Sequence, residues 1–218
     1  MTAHFVDLLD ELRRRSLRMA NLVEDMVEEA CEAVLVGNEQ LARRVVARDN
    51  DVDSEEVRVE QDVIKLLALY QPVGADLRLL CTLLKTNNDL ERIADCAVNI
   101  AERAIHLDPE RVQRASPDFK RLAPLVRQIL RHAIQAYTTG DAQAARRVLE
   151  EDEAIDAMYG QTIRTVIAET PDSPGDMAAD LDILSVAKNL ERIADHATNI
   201  AEDVIFLVTG QIVRHRKG

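Results

Sequence analysis

Residues 90–102 (LERIADCAVNIAE) and residues 190–202 (LERIADHATNIAE) agree at 11 of 13 positions, at an offset of 100. Identity that dense at one spacing marks an internal repeat, so whatever the first half of the chain folds into, the second half must fold into again. A second match follows in the same order. Gly37 to Asp53 aligns with Gly140 to Asp156 at an offset of 103, sharing the glycine, a glutamine, an alanine, two arginines, a valine and two aspartates.

The repeated unit is helical. Leu90, Ile93, Ala97, Ile100 and Ala104 recur at spacings of three and four, which draws one apolar stripe along a helix, and strand-type alternation is absent. Gly and Pro fall where the helical pattern breaks, at Gly37, Pro72 with Gly74, Pro109 to Pro117, Gly140, and Pro171 to Gly175. These breaks predict helices over 4–36, 39–69, 73–107, 117–139, 141–169 and 174–209. Short loops between long amphipathic helices favour antiparallel packing, so the expected fold is all-α, a tandem repeat of two antiparallel three-helix bundles. The first repeat is expected to span 1–108 and the second 117–211, with a linker at 109–116 and a basic tail at 212–218. Pro72 is expected to be the first helical residue of its helix, where a missing N–H costs no hydrogen bond, with Asp76 complementing the helix dipole.

With three Phe, three Tyr and no Trp in 218 residues, the core must be built from Leu, Val, Ile and Ala. A formal charge of −12 repels nucleic-acid phosphates and anionic lipid, and favours cations and basic protein surfaces as partners. The short basic run Arg214, His215, Arg216, Lys217 reads as a solvated tail rather than a nucleic-acid contact. No apolar run approaches the roughly 20 residues that span a bilayer, and the first 15 residues are charged, so a cytoplasmic location is expected.

Cys31, Cys81 and Cys96 lie in apolar helical stretches without a C-x-x-C pair and read as buried, reduced thiols. Among the histidines, His196 has Cys96 as its counterpart in the first copy, and His4, His106, His132 and His215 occupy no repeated position. None is expected to be a metal ligand.

The acidic residues are patterned. Glu91, Asp95, Asn99 and Glu102 step by four, four and three residues, within an arc of about 80° on one helix face. The next copy repeats them as Glu191, Asp195, Asn199 and Glu202, and the second helix of each unit carries a further pair, Asp49 with Asp53 and Asp152 with Asp156. Carboxylates at i and i+4 stand about 6 Å apart and repel. A solvated helix face explains one such pair; four at matching positions suit a bound cation. If the pairs of neighbouring helices face one another, they make a hard-oxygen site for magnesium, manganese, calcium or iron.

The twin LERIAD segments, the stretch Gln71-Pro72-Val73-Gly74-Ala75-Asp76-Leu77-Arg78 and the terminal Thr209-Gly210-Gln211 resemble the PhoU family of phosphate-signalling proteins over nearly the whole chain. The resemblance implies a non-catalytic adaptor that represses the phosphate-starvation response when phosphate is plentiful. Its implied partners are the ATPase subunit of the phosphate ABC transporter and a membrane sensor histidine kinase, with membrane association only through them; a homodimer is the expected assembly. It also implies iron, magnesium or manganese at the acids, one site from Asp49, Asp53, Glu91 and Asp95 and the other from Asp152, Asp156, Glu191 and Asp195. The family commonly has Gly where Ala94 and Ala194 stand, a methyl that limits backbone approach. Arg78, beside the QPxxxDLR turn, is an alternative partner contact. A carboxylate-bridged metal enzyme or iron store is the competing reading, but such bundles draw His from Glu-x-x-His, and no Glu here has His three residues later.

Overall fold

The structure is a computed structural model that describes residues 3–107, 110, 112, 119–169 and 174–213. Its helices are α1 (Ala3–Val36), α2 (Glu39–Ala47), α3 (Asp49–Tyr70), α4 (Gly74–Ala104), α5 (Phe119–Thr139), α6 (Ala142–Glu169) and α7 (Pro174–Thr209). Apart from Glu110 and Val112, the linker expected at 109–116 lies outside the described residues, as does the basic tail beyond Val213.

The repeat is visible in the local stereochemistry. Gly37 (φ 68°) and Gly140 (φ 63°), 103 residues apart, end α1 and α5 in the left-handed region that glycine enters without steric cost. The residue after each glycine caps the next helix. The Asn38 carboxamide oxygen accepts from the Leu41 N–H at 3.2 Å, and the Asp141 carboxylate accepts from Gln143 and Ala144 at 2.8 and 3.0 Å.

Two details depart from expectation. The predicted helix over 39–69 is interrupted at Arg48, whose N–H bonds back to the Val45 carbonyl at 3.0 Å, a tighter i→i+3 closure than the α-helix uses. The break makes Asp49 the first residue of a fresh helix, where the unsatisfied N–H groups favour a carboxylate. Pro72 lies outside its helix: Gln71, at φ 47°, closes α3 with an N–H bond to the Leu67 carbonyl, and α4 begins two residues after the proline.

The two halves pack side by side through antiparallel helix pairs. In one pair, Ser16 Oγ and Tyr137 Oη share a buried hydrogen bond of 2.7 Å, Arg131 reaches Glu24 at 2.8 Å, and Arg127 pairs with Glu28. These contacts run α1 against α5. In the other, Lys85 meets Asp203 at 2.9 Å, Asp89 meets His196 at 2.8 Å, and Arg103 meets Asp182 at 3.1 Å, which runs α4 against α7. α2 and α3 pack against α1 and α4, while α6 packs against α5 and α7. The core is aliphatic as composition requires. Leu90, Ile93, Ala97 and Ile100 of the sequence stripe are fully buried, and so are Leu190, Ile193, Ala197 and Ile200. No helix among the described residues is long and apolar enough to cross a membrane.

Candidate metal-binding acidic faces

Asp49 and Asp53 sit on the first turns of α3, and Glu91 and Asp95 on the middle of α4, which packs against it. The two pairs act on one another electrostatically across the α3/α4 contact. Burial raises the Asp49 carboxyl above the ordinary aspartate range, and the charges of Asp53, Asp95 and Glu102 raise it further. Glu91 is raised by burial and then by Asp95, with Asp53 and Glu56 adding to the effect and Arg92 opposing it. The charges on α3 and α4 therefore act on one another across the helix contact, without being gathered into a cluster of three or more. Glu56, raised by burial, Glu60 and Asp53, joins this face and was not singled out from sequence. Its signal was available, since it stands one turn beyond Asp53.

The second copy places Asp152 and Asp156 on α6 opposite Glu191 and Asp195 on α7. Asp195 is raised by burial, then by Glu191 and Asp156, with Lys188 and His196 opposing. The two asparagines behave differently from one another. Asn99 donates to the Asp95 carbonyl at 2.8 Å within its own helix, whereas Asn199 donates to the Asp89 carboxylate at 3.1 Å across the α4/α7 contact. Asn199 thus joins the halves.

Bases already sit on the acids. Arg92 lies 3.2 Å from both Glu91 and Asp95, and Lys188 lies 2.6 Å from Glu191. Among the described residues no group of three or more His, Cys, Asp or Glu side chains is gathered closely enough to hold a metal ion. The donors are all carboxylate oxygens, the class that hard cations take, but as placed here they are not gathered into a metal site. Facing carboxylates whose protonation is favoured by burial and mutual repulsion carry negative charge that a divalent ion would neutralise better than solvent does.

The sign of the pH dependence follows. A carboxyl whose folded pKa lies above its unfolded value contributes stability that is fully present below the unfolded pKa and is lost as pH rises through the folded pKa. For Asp49, Glu91 and Asp195 the reference values are 3.8, 4.5 and 3.8, so protein freed of metal should melt at a higher temperature near pH 5 than near pH 7. Thermal melts of EDTA-treated wild type and of the Asp49→Asn/Glu91→Gln/Asp195→Asn variant check this. The variant should lose most of the pH slope, and an equal slope in both proteins would contradict the assignment.

The geometry also places several neighbouring residues. Ala94 and Ala194 are each 1% exposed, so both extra methyls pack into the core rather than lining the acidic faces. Arg78 donates from Nε to the Leu207 carbonyl at 3.3 Å and ties α4 to the end of α7 within the chain. Burial pushes the Cys31 thiol up to about 12 and the Cys96 thiol to about 11, which keeps both protonated at neutral pH, while Cys81 is only partly buried.

The PhoU domain family model matches residues 16–104 and again 119–204, one match for each repeat. The chain belongs to the PhoU family. It is 36% identical over 208 residues to a phosphate-specific transport system accessory protein PhoU homolog of Pseudomonas putida, covering 95% of this chain and 81% of the relative. A Caulobacter vibrioides homolog of the same description is 36% identical over 216 residues, covering 97% of this chain and 94% of the relative. Among solved structures, PhoU from Pseudomonas aeruginosa superposes with a TM-score of 0.89 at 33% identity, covering 95% of this chain and all of the other. The phosphate transport system regulatory protein PhoU from Streptococcus pneumoniae gives 0.87 at 26% identity, covering 96% and 99%. The PhoU architecture accordingly extends over both repeats.

Proposed function

We propose that this chain is a non-catalytic accessory regulator of phosphate uptake, repressing the phosphate-starvation response at high phosphate by coupling the phosphate transporter's ATPase subunit to a sensor histidine kinase. The observation that carries the reading is the match over 95% or more of this chain to relatives named as accessory proteins of the phosphate-specific transport system, in sequence and in fold. A non-catalytic role accords with buried, protonated Cys31 and Cys96 thiols and with His132 and His196 engaged by Glu151 and Asp89. In this reading a hard cation, iron, magnesium or manganese, is held by Asp49, Asp53, Glu91 and Asp95, and by Asp152, Asp156, Glu191 and Asp195. The cation joins helix pairs that otherwise repel. It thereby fixes the faces offered to partners.

Purified chain, the ATPase subunit and the cytoplasmic part of the kinase provide the test by biolayer interferometry, before and after EDTA treatment. Binding to both partners, weakened severalfold by metal removal, is expected. Absence of binding to either partner under both conditions would remove the adaptor role.

A further inference from the structure

The seam between the two repeats poses a problem of partner choice, because its apolar surface is nearly the same on both sides. α4 and α7 bury identical residues, Leu90, Ile93 and Ile100 in one and Leu190, Ile193 and Ile200 in the other. Every buried residue of α1 from Ser16 to Val34 has a buried counterpart 103 positions later in α5, from Phe119 to Tyr137. Apolar burial alone therefore accepts two like repeats, drawn from two copies of this chain, much as it accepts a first and a second repeat.

The charges do not. By the same offset, Glu24 and Glu28 on α1 correspond to Arg127 and Arg131 on α5, and by the offset of 100 Arg103 on α4 corresponds to Asp203 on α7. Across the seam opposite signs meet: Glu24 with Arg131 at 2.8 Å, Glu28 with Arg127, Lys85 with Asp203 at 2.9 Å and Arg103 with Asp182 at 3.1 Å. Carried by these equivalences onto a pairing of two first repeats, the same contacts set Glu24 against Glu28 and Lys85 against Arg103. Two second repeats would set Arg127 against Arg131 and Asp203 against Asp182.

We propose that these charges make the seam selective for its partner: it accepts a first repeat against a second and rejects two like repeats, whether within one chain or between copies. Each exposed ion pair contributes little by itself. Selectivity arises because a like pairing loses the attraction and gains a repulsion at the same points, at α1/α5 and at α4/α7 together. The penalty is sharpest at Asp203, which lies buried in the seam, where a facing carboxylate would be poorly screened.

Charge reversals in the full-length chain place the rejected combinations across the seam. Glu24→Arg/Glu28→Arg gives α1 the charges of α5, and Arg127→Glu/Arg131→Glu gives α5 the charges of α1. Thermal melts at low ionic strength compare both with Glu24→Gln/Glu28→Gln, which removes the attraction without adding repulsion. The glutamine variant should melt about 2–4 °C below wild type, and each reversal should lose at least about twice as much. The fourfold variant carrying both reversals should regain at least about half of that loss. In roughly 1 M salt the gap between reversed and glutamine variants should shrink by about half or more, which separates charge from side-chain fit. Glu24→Arg/Glu28→Arg also moves the formal charge of −12 toward zero, so its loss is not self-repulsion of the whole chain. Reversed chains that melt with the glutamine variant, or a fourfold variant no more stable than either reversal, would overturn the selection. Where a reversal prevents folding altogether, recovery of the fold in the fourfold variant is the expected result, and failure to recover it would overturn the selection equally.

Discussion

Ile93→Ala and Ile193→Ala are each expected to lower the folding free energy by about 2–5 kcal/mol. Both side chains are completely buried, at the middle of α4 and α7, where the helices of the two repeats cross. Truncation removes three carbons from a close-packed aliphatic layer, and the cost combines the lost transfer free energy with that of the residual cavity. The long helices on either side can close the gap only partly. Because the two positions are equivalents in the repeat, the two losses should agree within about 1–2 kcal/mol, given how widely such costs scatter at fixed chemistry. Urea unfolding at fixed pH measures both. Losses under about 1 kcal/mol in both variants would mean that the crossing is not the packed centre of the molecule.

Lys85→Met should cost about 3 kcal/mol, the lower end of what breaking a buried ion pair costs. The Asp203 side chain is 2% exposed and meets the Lys85 ammonium at 2.9 Å, while the lysine is 40% exposed and rests over the Phe206 ring. Methionine keeps most of the aliphatic stem but leaves the Asp203 carboxylate buried without that ammonium. The lysine's contact with water holds the figure at the low end. In a double-mutant cycle, adding Asp203→Leu should recover at least half of the loss, since removing the buried charge costs less than keeping it without its lysine. A Lys85→Met variant as stable as wild type would show that the pair is only a surface contact.

The repeat made much of this fold legible. The spacing of Leu90, Ile93, Ala97 and Ile100 gave the buried stripe, and Gly37 and Gly140 gave the helix ends, because both signals depend on local geometry alone. The break at Arg48 was not legible, since no Gly or Pro marks it and it consists of a single shift in backbone hydrogen bonding. Pro72 was misplaced by two residues because the left-handed turn at Gln71 comes first, in a residue type that rarely signals it.

The acidic faces were legible as pairs on single helices, but their surroundings were not. Asn199 follows Asp195 by one turn on the same helix, and the antiparallel contact of α4 with α7 brings its carboxamide to Asp89. That contact is also where the copies have diverged. Arg103 and Asp203 are repeat equivalents of opposite charge, each matched to a partner in the other repeat, Asp182 and Lys85. Periodicity could not reveal this, because the partners are about 80 to 120 residues apart in the chain and only the packed fold brings them together.

The central claim is tested most directly by a phosphate-responsive reporter at high phosphate, in a strain from which this protein has been deleted. Deletion should derepress the reporter, wild-type protein should restore repression, and a variant with Glu91, Asp95, Glu191 and Asp195 all changed to Ala should fail to restore it while still folding. Repression that persists unchanged after deletion would contradict the regulatory role; repression restored equally by the variant would detach that role from the acidic faces.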